Sequence, residues 1–417
     1  MTISSMVSSN AFGKGKPDPS FSSGLMAKDA IAKYGKENIV DATLGVVKNE
    51  EGDFATLPTV EAIYRSLPGS ELCDYAPIAG LPDFREAAIE YAFQGHQPKG
   101  TYARCVAIPG GSGGIHHVIF NYVERGEKFL IPDWHWGPYR EMAIESERNW
   151  EIYQMFDKDN HFTLEDFKIK ADGILADQES MMTIINTPAH NPSGYSMTND
   201  DWKEMIDFFK TYTDKGKKII ILWDMAYTDY AGSIDETRDF LKYFDNMPEN
   251  MLLTVAFSMS KSFLCYGMRS GALIGVSTSE DLALEFEYVN TFSNRATWSN
   301  GSRGAQKTLA LIMADPELKK KTDEERAVYR ELINKRAKIF MAEAAEAGLP
   351  VLPYQAGFFI SVPAKGQFEL VDKLREKNIF TIPLDCGAVR FAMSATPSTM
   401  VPGLAKITKE LYAGHEV

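Results

Sequence analysis

The 417-residue chain has little of what would tie it to an oxidising compartment, a membrane or a nucleic acid. Its four cysteines, Cys73, Cys105, Cys265 and Cys386, stand far apart with no C-x-x-C spacing. They read as reduced thiols in a cytoplasmic protein, mostly core filler. Long apolar runs are missing too: the longest candidates, such as Ile219 to Trp223, have the length of a strand. The opening MTISSMVSSNAFGKGKPDPS has no apolar core of the kind a signal peptide needs, and a flexible arm is expected there. Nor is there a surplus of positive charge. Against 57 acidic side chains stand 44 basic ones, a net charge of −13 that opposes binding to nucleic acid or an anionic membrane. An anionic ligand must therefore be held by a local arrangement. There is no internal repeat and no low-complexity tract.

What is present is the composition of a soluble globular protein, 44% hydrophobic and 24% charged, in a chain longer than one core usually fills. Two domains are expected. Apolar runs at CVAIP, KFLIP, Trp150 to Met155, Met181 to Asn186, KKIIILWD and Leu252 to Phe257 alternate with amphipathic stretches. That order predicts the α/β class, a mostly parallel sheet of the seven-stranded type with helices on both faces. Thr59 is a possible helix cap, Pro82 opens a helix with Phe84, Ala87, Ala88 and Tyr91 on one face, and Thr198 caps another. From Ser302 to Leu349 the pattern is helical apart from Pro316, and VLPYQAGFFISV, FTIPLD and VRFAMS then read as strands of a smaller α+β domain. The expected division is an arm over 1–40, a piece of the small domain over 41–55, the large domain over 56–315 and the small domain over 316–417.

The rest is organised around VAFSMSKSFLCYGMRSG, residues 255–271, where a buried-type strand stops at Ser-Met-Ser-Lys. Lys261 thus lies at the sheet edge where α/β folds collect ligands, with Ser258 and Arg269 nearby to hold an anion. A lone lysine would be a solvated surface group. Here other strand ends carry matching chemistry: a glycine cluster before a helix, PGGSGG, which leaves N–H groups free for a phosphate; Trp134; the turn HNPSG; and Asp224 with Tyr227 three residues on. Pyridoxal phosphate has the phosphate, flat ring, basic ring nitrogen, phenolic oxygen and aldehyde that such residues would meet.

In these residues the chain resembles the fold type I pyridoxal-phosphate enzymes, and among them the aspartate aminotransferase family. LGVVKNEEG, DYAPIAGLPDF, PGGSGG, PDWHWGPY, HNPSG, WDMAY, SMSKSFLCYGMRSG, RATWSNGSRGA and QAGFFIS carry the resemblance, from about Asp41 to the carboxyl terminus. It implies that Lys261 is the Schiff-base lysine, that Asp224 pairs with the ring nitrogen, and that Tyr227 and Asn191 bond the phenolic oxygen. Each has a plainer alternative: a helix cap for Asp224, core for Tyr227, a turn former for Asn191. It further implies Gly111, Ser112, Ser258 and Arg269 around the phosphate, Tyr75 reaching it from a second subunit, and Trp134 against the ring face. Arg390 matches the arginine that grips the α-carboxylate and Gly45 the backbone closing over it. Arg295 matches the arginine lent by the neighbouring subunit to a side-chain carboxylate, or is a solvated arginine at a helix end.

The sequence departs from the family in having Gly137 where a histidine often stands and Ser112 where threonine is common, and its loop LGVVKN is shorter. The expected activity is transamination between an amino acid, dicarboxylic before aromatic, and a 2-oxo acid such as 2-oxoglutarate, in a homodimer. A lyase or decarboxylase on the same scaffold is the rival among enzymes. A ligand-sensing regulator is the other rival, but such proteins carry a DNA-binding domain for which the arm has no room.

Overall fold

The run Lys218-Ile-Ile-Ile-Leu-Trp-Asp has no alternation of apolar and polar residues because both of its faces are covered. Ile219, Ile221 and Trp223 enter one buried apolar cluster, Ile220 and Leu222 the other, so the period of two sorts one run onto two sides of a sheet. The structure is a computed structural model that describes residues 6–15 and 18–417. Its strands are β1 (Val40–Asp41), β2 (Tyr102–Ile108), β3 (Lys128–Pro132), β4 (Asn149–Tyr153), β5 (Ser180–Asn186), β6 (Lys218–Asp224), β7 (Met251–Ser258), β8 (Gly271–Ser277), β9 (Phe359–Pro363), β10 (Ile379–Phe380), β11 (Ile382–Leu384) and β12 (Ala388–Ala392).

The large sheet has seven strands in the order β2-β8-β7-β6-β5-β3-β4. It is parallel except for β8, which runs antiparallel to both β2 and β7. The expectation of an interior parallel strand at residues 252–257 is thereby corrected on one side: β7 is parallel to β6 and antiparallel to β8. Register aligns Asn186 with Asp224, and Asp224 with Ala256, so β5 and β6 end level and β7 runs two residues further. Beyond this edge lie an antiparallel sheet, β11-β12-β9, and the parallel pair β1-β10, which ties residues 40–41 to the carboxyl-terminal part of the chain.

Several elements differ from expectation. Thr59 does not cap its helix, which starts one residue earlier at Pro58; the Thr59 N–H and hydroxyl both donate to Glu325, from the long helix Pro316–Ala347. Within the stretch expected to be an arm, Pro19–Tyr34 is helical, opened by the Asp18 carboxylate accepting from Phe21 N at 2.8 Å. Of VLPYQAGFFISV the strand takes Phe359 onward, since Tyr354 and Gly357 form a turn closed by the Tyr354 hydroxyl on the Gly357 carbonyl. Among the described residues, no helix is long and apolar enough to cross a membrane.

Candidate active site

The ends of β2, β3, β5, β6 and β7 converge with neighbouring loops at the carboxyl edge of the large sheet. At β6 the apolar run stops on Asp224, buried at 5% exposure. One carboxylate oxygen accepts from the Tyr139 hydroxyl at 2.6 Å and the other from Ala226 N at 3.2 Å. Its backbone carbonyl accepts from the Asn186 amide at 2.9 Å, and Asn186 Oδ1 takes the Asn191 N–H at 2.7 Å. Asn186 thus links the end of β6 to the turn at Asn191. Burial pushes the Asp224 carboxyl above the usual carboxylate range, against the pull of Tyr139, the Ala226 N–H and the nearby Lys261 charge.

Lys261 sits three residues past β7, in the single turn Met259–Ser262 that the Ser258 hydroxyl opens by accepting Ser260 N. Its Nζ stands 5.7 Å over the Tyr227 ring and makes no hydrogen bond among the described residues. Burial pushes this amine down to about 8; the Asp224 carboxylate works against the fall, and the Arg269 and Arg390 charges add to it. The proton is thus held less firmly than on an ordinary lysine, which favours an amine nucleophile or base. The turn is fixed from outside the cavity, the Tyr230 hydroxyl donating to the Lys261 carbonyl at 3.0 Å and Arg326 Nε to the Ser262 carbonyl.

Tyr227 is buried, and burial raises its proton affinity. Arg390, from β12, donates to Asn191 Oδ1 at 3.1 Å while its guanidinium lies 4.1 Å over the Phe359 ring. Its buried Nε has no hydrogen-bond partner among the described residues. Gly45 is required here by close approach: a Cβ would meet the Phe359 ring at 2.5 Å. The loop that carries Gly45 is tied down by Val47 N donating to the Tyr266 hydroxyl at 3.0 Å.

On the other side, Gly110 has φ +78° and no side chain caps the helix Gly111–Tyr122. Its opening N–H groups, at Gly111 and Ser112, face the same corner as Ser258 and Arg269. A Cβ on Gly110 would meet the Arg269 guanidinium at 2.6 Å, and one on Gly111 would touch Ser258 at 3.4 Å. Arg269 is exposed at the mouth, held by the Pro109 carbonyl at 2.9 Å and the Tyr266 carbonyl at 3.0 Å. Trp134 is half-buried two residues beyond β3, its N–H on the Asp133 carboxylate at 2.9 Å. These groups fit a flat anionic cofactor: a helix start and arginine for an anion, an unpaired amine for an electrophile, and a buried carboxylate for a ring nitrogen.

Two expected residues are not brought into this cluster within the chain. Tyr75 is 80% exposed, its carbonyl accepting from Arg303 at 3.1 Å. Arg295 is exposed near the end of the helix Glu280–Thr297 and donates to Ser299 at 2.7 Å. Other residues escape the sequence reading: Tyr139, Asn186, Tyr230, Tyr266 and Phe359 all hold site groups. Only Asn186 carries a signal that could have found it, a polar residue closing a fully apolar strand.

The sequence matches the family of class I and II aminotransferases over residues 39–407. An aminotransferase of Anaerococcus prevotii has the same fold, with a TM-score of 0.94 and 35% identity over 98% of this chain and 99% of that one. Escherichia coli aspartate aminotransferase is 25% identical over 382 residues, 87% of this chain and 91% of its own length. An aromatic-amino-acid aminotransferase of Burkholderia pseudomallei, solved covalently bound to pyridoxal phosphate, is similar in fold at a TM-score of 0.74 and 21% identity, over 97% of this chain and all of that one.

Proposed function

The chain belongs to the class I and II aminotransferases and is a pyridoxal-phosphate-dependent enzyme, and we propose that it holds that cofactor at the carboxyl edge of the large sheet with Lys261 as the covalent anchor. The observation that carries this is the unpaired Lys261 amine, lowered to about 8 and set between the Asp224 carboxylate and two arginines. When bound, the cofactor supplies an aldehyde that condenses with amines and a protonated ring that draws electrons from the substrate carbon. Around it the chain's own residues would divide the work. Asp224 holds the proton on the ring nitrogen, and Tyr227 with Asn191 bonds the phenolic oxygen. Gly111, Ser112, Ser258 and Arg269 take the phosphate, and Trp134 covers a ring face. Lys261 Nζ takes the proton from the substrate's α-carbon and later returns it.

Arg390 is the fork for the α-carboxylate. Its Nε is orphaned, its position is fixed by Asn191 and the Phe359 ring, and the Gly45 backbone closes beside it. Tyr75 and Arg295 are engaged outside their own chain's site, which supports a homodimer in which each serves the other copy. On this reading the donor is a dicarboxylic amino acid, with 2-oxoglutarate as acceptor. Aromatic amino acids are the second reading, favoured by the exposure of Arg295 and its single bond to the Ser299 hydroxyl, which let it swing clear. We assign residues 56–315 to the large domain and 41–55 with 316–417 to the small one, and place the enzyme in the cytoplasm, in keeping with four free thiols.

A half-reaction screen tests the substrate: each amino acid is mixed with loaded enzyme and the bound cofactor's absorbance is followed. Arg295→Gln is expected to lower the rate with aspartate by about 10–10²-fold, as for loss of a charge-assisted pair, and to spare phenylalanine. Equal losses on both would refute the clamp.

A further inference from the structure

Among the described residues the Asp224 carboxylate has one hydrogen bond beyond those of its own turn, and it comes from a residue to which the sequence assigns no chemistry. Tyr139 is the second residue of the helix Pro138–Glu145, and its ring is 2% exposed, packed edge-on against Trp136 at 5.5 Å. Its hydroxyl donates to Asp224 Oδ2 at 2.6 Å, within the range of roughly 2.5–2.7 Å for a hydroxyl on an ionised acceptor.

We propose that Tyr139 is a positioning residue that keeps Asp224 ionised and aimed, and so sets how firmly a proton stays on the cofactor's ring nitrogen. The proposal rests on the reading of Asp224 given above. Two physical points support it. The carboxylate is buried, and burial alone drives it toward the neutral acid, which cannot hold a pyridinium; the phenol offsets this by bonding the charged form. The phenol is a donor at all working pH values, because burial and the neighbouring carboxylate push its own ionisation well up. Ala226 N, at 3.2 Å on the other oxygen, is the longer and weaker contact. Without the hydroxyl, Asp224 becomes the more basic partner and the shared proton moves toward it.

The test reads the proton directly. The enzyme is loaded with pyridoxal phosphate labelled with ¹⁵N, and the ring-nitrogen chemical shift is followed against pH in the wild type, Tyr139→Phe and Asp224→Asn. Phenylalanine fills the same space against Trp136, so packing is kept. The expected result is a protonated shift in the wild type, a shift moved part of the way toward the unprotonated value in Tyr139→Phe with kcat down about tenfold and KM little changed, and the fullest movement in Asp224→Asn. A further arm incorporates 3-fluorotyrosine at position 139, which keeps the packing and strengthens the donor; the ring-nitrogen shift should then stay at, or move further toward, the protonated value. If Asp224→Asn moves the resonance and neither change at 139 does, the inference on Tyr139 is wrong and the proposed function stands. If Asp224→Asn leaves it unmoved, the reading of Asp224 fails and takes this inference with it.

Discussion

Two buried charge clusters lie next to one another in this molecule, and they are built to opposite ends. Around Asp229, five residues after Asp224, the charges are paired with opposite charges. Tyr91 donates to one oxygen at 2.8 Å and Arg238 to the other at 3.2 Å, while Arg238 also bonds the Ala92 carbonyl and Thr237. Arg326 adds a second positive charge and is itself paired with Asp323 at 2.7 Å. Burial raises the Asp229 carboxyl, yet the two guanidiniums, Ser262 and Tyr91 overcome it and hold the group below its usual range. Asp224 is as deeply set but meets a phenol, one backbone N–H and an amine that does not touch it, and its proton affinity ends up raised. The Lys261 amine across the cavity makes no hydrogen bond among the described residues. Paired charges hold the wall, and the wall holds the lysine: Arg326 bonds the Ser262 carbonyl and Tyr230 the Lys261 carbonyl. A buried charge left without a partner costs stability, and it is kept where chemistry uses it.

Changing each cluster in turn would break this contrast if it is wrong. The largest effect expected is on activity: Lys261→Ala should lower transamination by on the order of 10³-fold or more while the apoprotein stays folded, checked by the half-reaction absorbance and by circular dichroism. Next is stability: Asp229→Ala strands Arg238 and part of Arg326, and should cost about 3–5 kcal/mol by urea unfolding, with turnover per folded molecule largely kept. Loss of activity without loss of stability at Asp229 would place that cluster among the reacting groups instead.

The smallest effects are in pH dependence of apoprotein stability, and their signs differ. Asp229 has a folded pKa below 3.8, so its contribution is present above that value and lost as pH falls through the folded pKa. Asp224 has a folded pKa above 3.8, so the folded state holds the extra proton and stability falls as pH rises out of that region. For Lys261, between about 8 and 10.5 the unfolded chain binds more protons, so stability rises with pH across that window, and Lys261→Ala should flatten the rise. Unfolding midpoints of the apoprotein and the three single variants, measured across pH, would show whether each slope disappears with its own residue.

Much of this contrast is legible in the amino-acid sequence. The runs at β5, β6 and β7 are too uniformly apolar for a one-sided sheet, so their place in a covered interior follows from their composition, and their polar last residues mark the edge where ligands gather. Lys261, Asp224, Tyr227 and Asn191 stand out because each lies where an apolar run or a Pro/Gly turn gives way to a chemically specific side chain, and Arg390 because it interrupts an apolar strand. Tyr139 cannot be found that way: an aromatic after a proline at a helix start reads as core, and half of what it does is core packing against Trp136. Thr59 misleads because its local pattern favours a cap, whereas Glu325, 266 residues away, bonds it and the helix starts at Pro58.

Sequence by itself determined which residues could carry amine, carboxylate and anion chemistry and that they lie at strand ends, because apolar periodicity and turn residues are properties of short stretches of chain. Proton affinities and bonding partners were decided by tertiary structure alone. Whether an aspartate ends raised or lowered depends on the balance of desolvation against the charges and donors that packing brings to it, and in this protein several of those, Tyr139 for Asp224 and Tyr91 and Arg326 for Asp229, come from residues far off in the chain.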